Sequence, residues 1–227
     1  MASFILTHSP LVGPATWQWV AEELTDRGHQ VLTPAVPPEV ASAGWSAFAD
    51  AVGEQAGGCA HATLVGHSGA GPLLPQIAAR LRSEVDALVF VDAGIPPDAG
   101  EAELMPDWLM AELRSIAEDG LLPPWSQWFG PDVMQQLIPD DRKRVAVAAE
   151  LPRLPLSYFE DRVPAPAGWT PVPRGYVLLS EAYASDADSA EERGWPVTRL
   201  DGTHLNIVTR PELVTDAILR VSAALGT

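Results

Sequence analysis

Basic residues are scarce in this chain: 14 lysines and arginines stand against 30 aspartates and glutamates over 227 residues, for a formal charge of −16. Such a net field repels phosphate backbones and anionic lipid surfaces, so neither nucleic acid nor a membrane is an expected partner. Cysteine is scarcer still. Cys59 stands alone, which excludes an intrachain disulfide framework. Long apolar runs are missing too, and none approaches a membrane span. The opening stretch "MASFILTHSPLVG" has neither a basic segment nor an apolar core long enough for a secretory leader, so the expected location is the cytoplasm. There is no His-x-x-x-His pair and no Cys/His cluster, so no metal and no cofactor are expected.

What the chain does have is a repeated pattern. Short apolar segments, each bounded by turn residues, recur at 3–8 (SFILTH), 30–34 (QVLTP), 62–67 (ATLVGH), 86–92 (DALVFVD), 175–180 (GYVLLS) and 196–200 (PVTRL). Apolar runs without clean alternation fit strands buried on both faces, as in a parallel sheet covered by helices. Between them, 16–28 places Trp17, Val20, Ala21 and Leu24 at helical spacing, with Thr16 as N-cap and Gly28 as stop. Residues 44–58 and 210–225 read the same way, with Pro211 suited to a first helical turn. Strand and helix in alternation predict a doubly wound α/β domain of about six mostly parallel strands with helices on both faces. The alternation lapses between Asp92 and Arg174. Helices are predicted there at 106–120 and 139–152 but no strand, so residues 96–173 read as a helical insertion between core segments 1–95 and 174–227.

The chemistry centres on "LVGHSGAG", residues 64–71. A predicted strand runs through Gly66-His67-Ser68-Gly69-Ala70 into a predicted helix, which is the context of a nucleophile elbow. The serine sits on a sharp turn, and small residues two places before and after it let the backbones pass closely. The helix start would aim free N–H groups at an oxyanion beside Ser68. Pro75 should bend that helix.

From "ILTHSPLVGPATWQWVAEELTDRGHQVLTP" through "LVGHSGAG" to "LDGTHLNIVTRPELVTDAIL", the chain resembles the α/β-hydrolase superfamily throughout its length, most of all its small plant esterase and hydroxynitrile-lyase type. The resemblance implies a Ser-His-acid triad in this chain order and a cap inserted after the sixth family strand, here 96–173. His204 matches the family's catalytic histidine, in a loop between the last strand and the last helix; a serine hydroxyl needs such a base. The acid has two family locations. Aligning "VLLSEAY" to the commoner one puts Tyr183 where the carboxylate should stand, with Glu181 and Asp186 displaced nearby. The other, at the end of the preceding strand, is occupied by Asp92, which is preferred, with Glu181 or Asp186 as the alternative. The family's His-Gly-x oxyanion loop is replaced by His8-Ser9-Pro10. Proline has no N–H to donate, which leaves the Gly69 amide and, for the second bond, the Leu11 amide or the Ser9 hydroxyl. His67 packs beside the elbow and, with Trp108, Trp125 and Trp128 of the insertion, is a candidate wall of an apolar substrate site.

These features predict a serine hydrolase acting on an ester, thioester or lactone of a mainly apolar small molecule. Two other classes stay open. One is a lyase or cyclase using His204 as general base without an acyl-enzyme. The other is a non-catalytic small-ligand receptor on the same scaffold, against which the retention of both Ser68 and His204 speaks.

Overall fold

The computed structural model describes residues 1–58, 60–130 and 132–227, so Cys59 lies outside the described residues. Its elements run, in chain order, β1 (Ser3–Thr7), α1 (Gln18–Asp26), β2 (Gln30–Leu32), α2 (Pro38–Ala41), α3 (Trp45–Gln55), β3 (His61–Ser68), α4 (Leu74–Ala78), β4 (Glu84–Ala93) and β5 (Glu101–Glu103). They continue with α5 (Asp107–Ile116), α6 (Val133–Leu137), α7 (Asp141–Ala148), α8 (Leu156–Glu160), β6 (Arg162–Pro164), β7 (Arg174–Leu178), α9 (Ala184–Glu192), β8 (Val197–Arg199), α10 (Asn206–Thr209) and α11 (Pro211–Leu225).

All six predicted strands form, and they make one parallel sheet in the order β2-β1-β3-β4-β7-β8. Successive strand residues face opposite sides, and both sides are buried. Ile5, Leu64, Leu88 and Phe90 pack into a core with Phe48 and Val52 of α3 and Ala187 of α9. Their neighbours Phe4, Leu6, Val65, Val89 and Val91 pack into a second core with Val20 and Leu24 of α1 and Val214, Ile218 and Val221 of α11. Two buried faces explain why the strands read as unbroken apolar runs.

Local structure departs from the sequence expectation at three points. Thr16 does not cap α1; it lies in a 3₁₀ turn over Pro14–Trp17, its hydroxyl donating to the Gly13 carbonyl at 2.8 Å. The long helix expected after Ser68 is instead a 3₁₀ turn at Gly71–Leu73 followed by the five residues of α4. Pro72 and Pro75 each sit in the first turn of one of these pieces, where a missing N–H costs nothing, so Pro75 begins a helix rather than bending one. The stretch between β4 and β7 also contains strands. Residues 101–103 and 162–164 pair antiparallel, Ala102 opposite Val163, closing the base of an excursion that carries α5 to α8.

That excursion straddles the sheet. Leu113, Leu122 and Tyr158 join the core on the α3 side, Met134, Ile138 and Val147 join the core on the α1 side, and Trp125 packs against both. α7 is moored to the rest of the molecule by Lys143 Nζ, which donates to the Val208 carbonyl at 2.7 Å, and the Glu150 carboxylate just beyond it accepts from the Ala15 amide at 2.7 Å. Among the described residues, no helix is long and apolar enough to cross a membrane.

Candidate active site

Ser68 ends β3 and Asp92 lies one residue before the end of its neighbour β4. The register between these strands slips there, so that Ser68 pairs with Ala93. Both residues take left-handed backbone conformations, Ser68 at φ 57° and Asp92 at φ 45°. Such conformations are costly for residues with a Cβ, and they cluster where function demands an exact placement. Gly66 leaves room for Leu74 of α4: a Cβ there would lie 2.6 Å from Leu74 Cδ2, so that side chain would have to shift.

His204 comes from the loop between β8 and α10. Asn206 shapes that loop, its Oδ1 accepting from the Thr203 amide and hydroxyl at 3.3 Å each while its backbone N–H donates to the Thr203 carbonyl at 3.0 Å. So held, His204 places Nε2 2.9 Å from Ser68 Oγ and Nδ1 2.7 Å from Asp92 Oδ2.

The structure thus brings Asp92, of the three carboxylates considered, to the histidine. Asp92 is fully buried, yet its oxygens are satisfied: Oδ1 accepts from the Leu179 amide at 2.8 Å and the Ser180 amide at 2.9 Å, and Oδ2 from the Ser180 hydroxyl at 2.6 Å. Burial raises the pKa of a carboxylate, but hydrogen bonding and charge from His204, with the Ser180 and Leu179 donors, outweigh it and hold Asp92 below its ordinary value. Asp186 is spent elsewhere. It accepts from the Ile95 amide at 3.1 Å, and burial raises its pKa. Glu181 is exposed at the start of a 3₁₀ turn.

On the other side of Ser68, Ser9 is 2% exposed and its hydroxyl oxygen would lie 2.9 Å from a Cβ on Gly69. The Leu11 amide donates to Ser9 Oγ at 3.3 Å. This engages the Leu11 N–H and leaves the Ser9 hydroxyl proton as the group able to donate. His8 is buried with Nδ1 2.8 Å from the Ser9 carbonyl, and burial lowers its pKa to about 4.

A cavity of about 10 Å³ adjoins Ser68, lined by Ser9, Leu11, Val12, His67, Trp125, His204 and Leu205. That is about the room a single water needs. Of the candidate wall residues, His67 and Trp125 line it. Trp108 does not: its position on α5 leaves it 68% exposed. Trp128 is also outside the lining, its Nε1 donating to the Pro123 carbonyl at 2.9 Å and its ring edge-on to Phe159. Tryptophan content alone could not separate a wall from packing in the excursion.

Two contributors escaped the sequence reading. Ser180, which follows β7, supplies two of the donors to Asp92, and no motif signals it. Tyr183 stacks on His204 with ring centroids 5.2 Å apart and planes 14° from parallel; its only signal was its place where an acid is usual.

With this geometry established, comparison with known proteins defines the class. The family model described as the alpha/beta hydrolase family matches residues 4–217, so the chain belongs to that family. Among solved structures, it is similar to an extracellular alpha/beta-hydrolase from a Paenibacillus species, at TM-score 0.72 and 17% identity, covering 97% of this chain and 99% of that one. It is also similar to tomato methylketone synthase I complexed with 2-tridecanone, at TM-score 0.74 and 14% identity over 99% and 98% of the two chains. A pyrethroid hydrolase from Sphingobium faniae superposes with TM-score 0.73 at 16% identity over 98% of each chain. At these identities the likeness speaks to the fold. No curated protein matches the chain by sequence.

Proposed function

We propose that the protein is a serine hydrolase acting on an ester, thioester or lactone of a mainly apolar small molecule, with residues 96–173 serving as a cap over the site. The observation that carries this reading is the continuous contact from Ser68 Oγ through the His204 ring to Asp92, at 2.9 Å and 2.7 Å. His204 Nε2 takes the hydroxyl proton as Ser68 Oγ attacks the carbonyl carbon, then returns it to the leaving group. Asp92 stays ionised, fixes the tautomer with the proton on Nδ1, and stabilises the imidazolium. The negative charge on the former carbonyl oxygen is met by the Gly69 amide and the Ser9 hydroxyl, which stands in for the amide that Pro10 lacks.

The test is turnover of p-nitrophenyl esters by the parent and by Ser68→Ala. Activity that survives in Ser68→Ala would overturn the assignment. One observation favours a second reading. With Pro10 carrying no N–H and the Leu11 amide held by Ser9, the oxyanion loop offers a hydroxyl where hydrolases of this type use a backbone amide. A reaction in which His204 only removes a proton, such as an elimination, C–C cleavage or cyclisation, asks less of that loop. An acyl-enzyme seen by mass spectrometry during turnover distinguishes hydrolysis from this route.

A further inference from the structure

The ring of His204 is covered by two other rings. His67 stacks on it at 4.4 Å between centroids and 30° between planes, and Tyr183 at 5.2 Å and 14°. The imidazole edge is occupied as well, by Ser68 Oγ at Nε2 and Asp92 at Nδ1.

The chemistry proposed above turns this imidazole into a cation for the lifetime of each tetrahedral intermediate. Aromatic faces carry negative quadrupole density and attract a cation lying over them, most strongly where water is excluded. Neither neighbouring ring adds a competing positive charge. His67 Nε2 lies 2.9 Å from the His204 carbonyl, which can only accept, so His67 donates through Nε2 as a neutral ring, and burial lowers its pKa to about 3. Burial pushes the Tyr183 phenol up to about 12, so this ring carries no positive charge and stays neutral as well. Tyr183 also sits on the chain segment that grips the acid, since the Leu179 amide, the Ser180 amide and the Ser180 hydroxyl all donate to Asp92.

We infer that Tyr183 is a positioning and charge-stabilising residue for the reaction: its ring face, together with that of neutral His67, holds the His204 ring in the plane of Ser68 and Asp92 and favours the imidazolium as it forms. Tyr183 stands at one of the two places where the family resemblance would put the acid, and it presents an aromatic face there instead. This inference rests on the hydrolase reading above.

The test separates ring electronics from packing. Tyr183→Phe provides a reference without the hydroxyl, and progressively fluorinated phenylalanines at position 183 keep its shape while draining its quadrupole. On p-nitrophenyl acetate, kcat should fall stepwise along the series to about a tenth of the Tyr183→Phe value, with KM unchanged. The rate of fluorophosphonate labelling of Ser68 should fall in parallel. A flat series in folded protein overturns the inference, as does a folded but inactive Tyr183→Phe, which would assign the work to the hydroxyl. In either case activity lost in Ser68→Ala leaves the hydrolase reading standing. A parent that neither turns over esters nor labels overturns both.

Discussion

Asp92, on the base side of Ser68, holds the Leu179 and Ser180 amides, the Ser180 hydroxyl and the His204 ring, all at 2.9 Å or less. The oxyanion side has a proline where an amide would help, and a serine whose oxygen is 3.3 Å from the nearest backbone donor. The difference lies in what fixes the working group. On the base side, two backbone donors just beyond the end of β7 pin a carboxylate at the end of β4, and the carboxylate pins a ring. On the oxyanion side a rotatable hydroxyl replaces a rigid N–H, and its direction depends on one long contact. In the proposed hydrolase, activation of Ser68 would therefore be the robust property of the site, and stabilisation of an oxyanion the adjustable one.

Substitutions can break this contrast in order of size. Ser68→Ala or His204→Ala should each lower kcat roughly a millionfold, as for residues acting as a unit. Asp92→Asn keeps the shape but offers the wrong tautomer to His204, and should cost about ten-thousandfold in kcat, whereas Glu181→Gln should leave kcat and KM within about twofold. If Glu181→Gln proved the damaging change, the acid would have been misassigned. Ser9→Ala removes the proposed oxyanion hydroxyl and should reduce ester turnover about a hundredfold. Steady-state kinetics showing no loss in Ser9→Ala would mean that the oxyanion side works through Gly69 alone, or that the reaction has no oxyanion to stabilise.

The contrast also has a pH signature. His8 and His67 are buried neutral, with pKa values lowered by burial to about 4 and about 3. Their contribution is complete above the unfolded value near 6.5 and is lost as pH falls toward the folded values, because only the unfolded chain gains protons in that window. At pH 5 the loss is about 2 kcal/mol for each. Asp92, held below its ordinary value, adds a further loss below about pH 4; Asp186, raised by burial, acts in the opposite sense. Urea midpoints should therefore fall between pH 7.5 and pH 5, and replacing His8 by a neutral residue of similar shape should flatten the dependence. The smallest effect belongs to Trp108→Ala, which should alter kcat and KM less than about twofold because that ring faces solvent.

Much of this was legible in the sequence, for a physical reason. The central strands are buried on both faces, which demands mostly apolar residues, and all six segments read from such short apolar runs became strands. Ser68 and His204 carry local signatures, an elbow and a histidine loop, that depend on neighbours in the chain. Asp92 was preferred over Glu181 and Asp186 on its strand-end position, and the hydrogen bond from His204 supports that choice. What stayed hidden depends on partners far apart. The pairing of 101–103 with 162–164 spans an intervening excursion and involves strands too short for any period to emerge. The Ser180 grip on Asp92 and the two-ring cover of His204 arise only when strand ends meet in space. The elbow helix is more broken than the single helix predicted, because Pro72 and Pro75 divide the segment into two short helical starts.

The short β5–β6 ladder has a consequence for how such a protein can change. By bringing residues 101–103 and 162–164 side by side, it makes everything between them leave the domain and return at one doorway. Loop closure costs grow only slowly with length, so the exposed connections inside that doorway could be shortened or lengthened at little expense, while Leu113, Leu122, Tyr158, Met134, Ile138 and Val147 must go on filling the two cores they share with the sheet. In the proposed hydrolase, the doorway would let a lineage vary the outer surface of the cap while the strand ends beneath it stay in place.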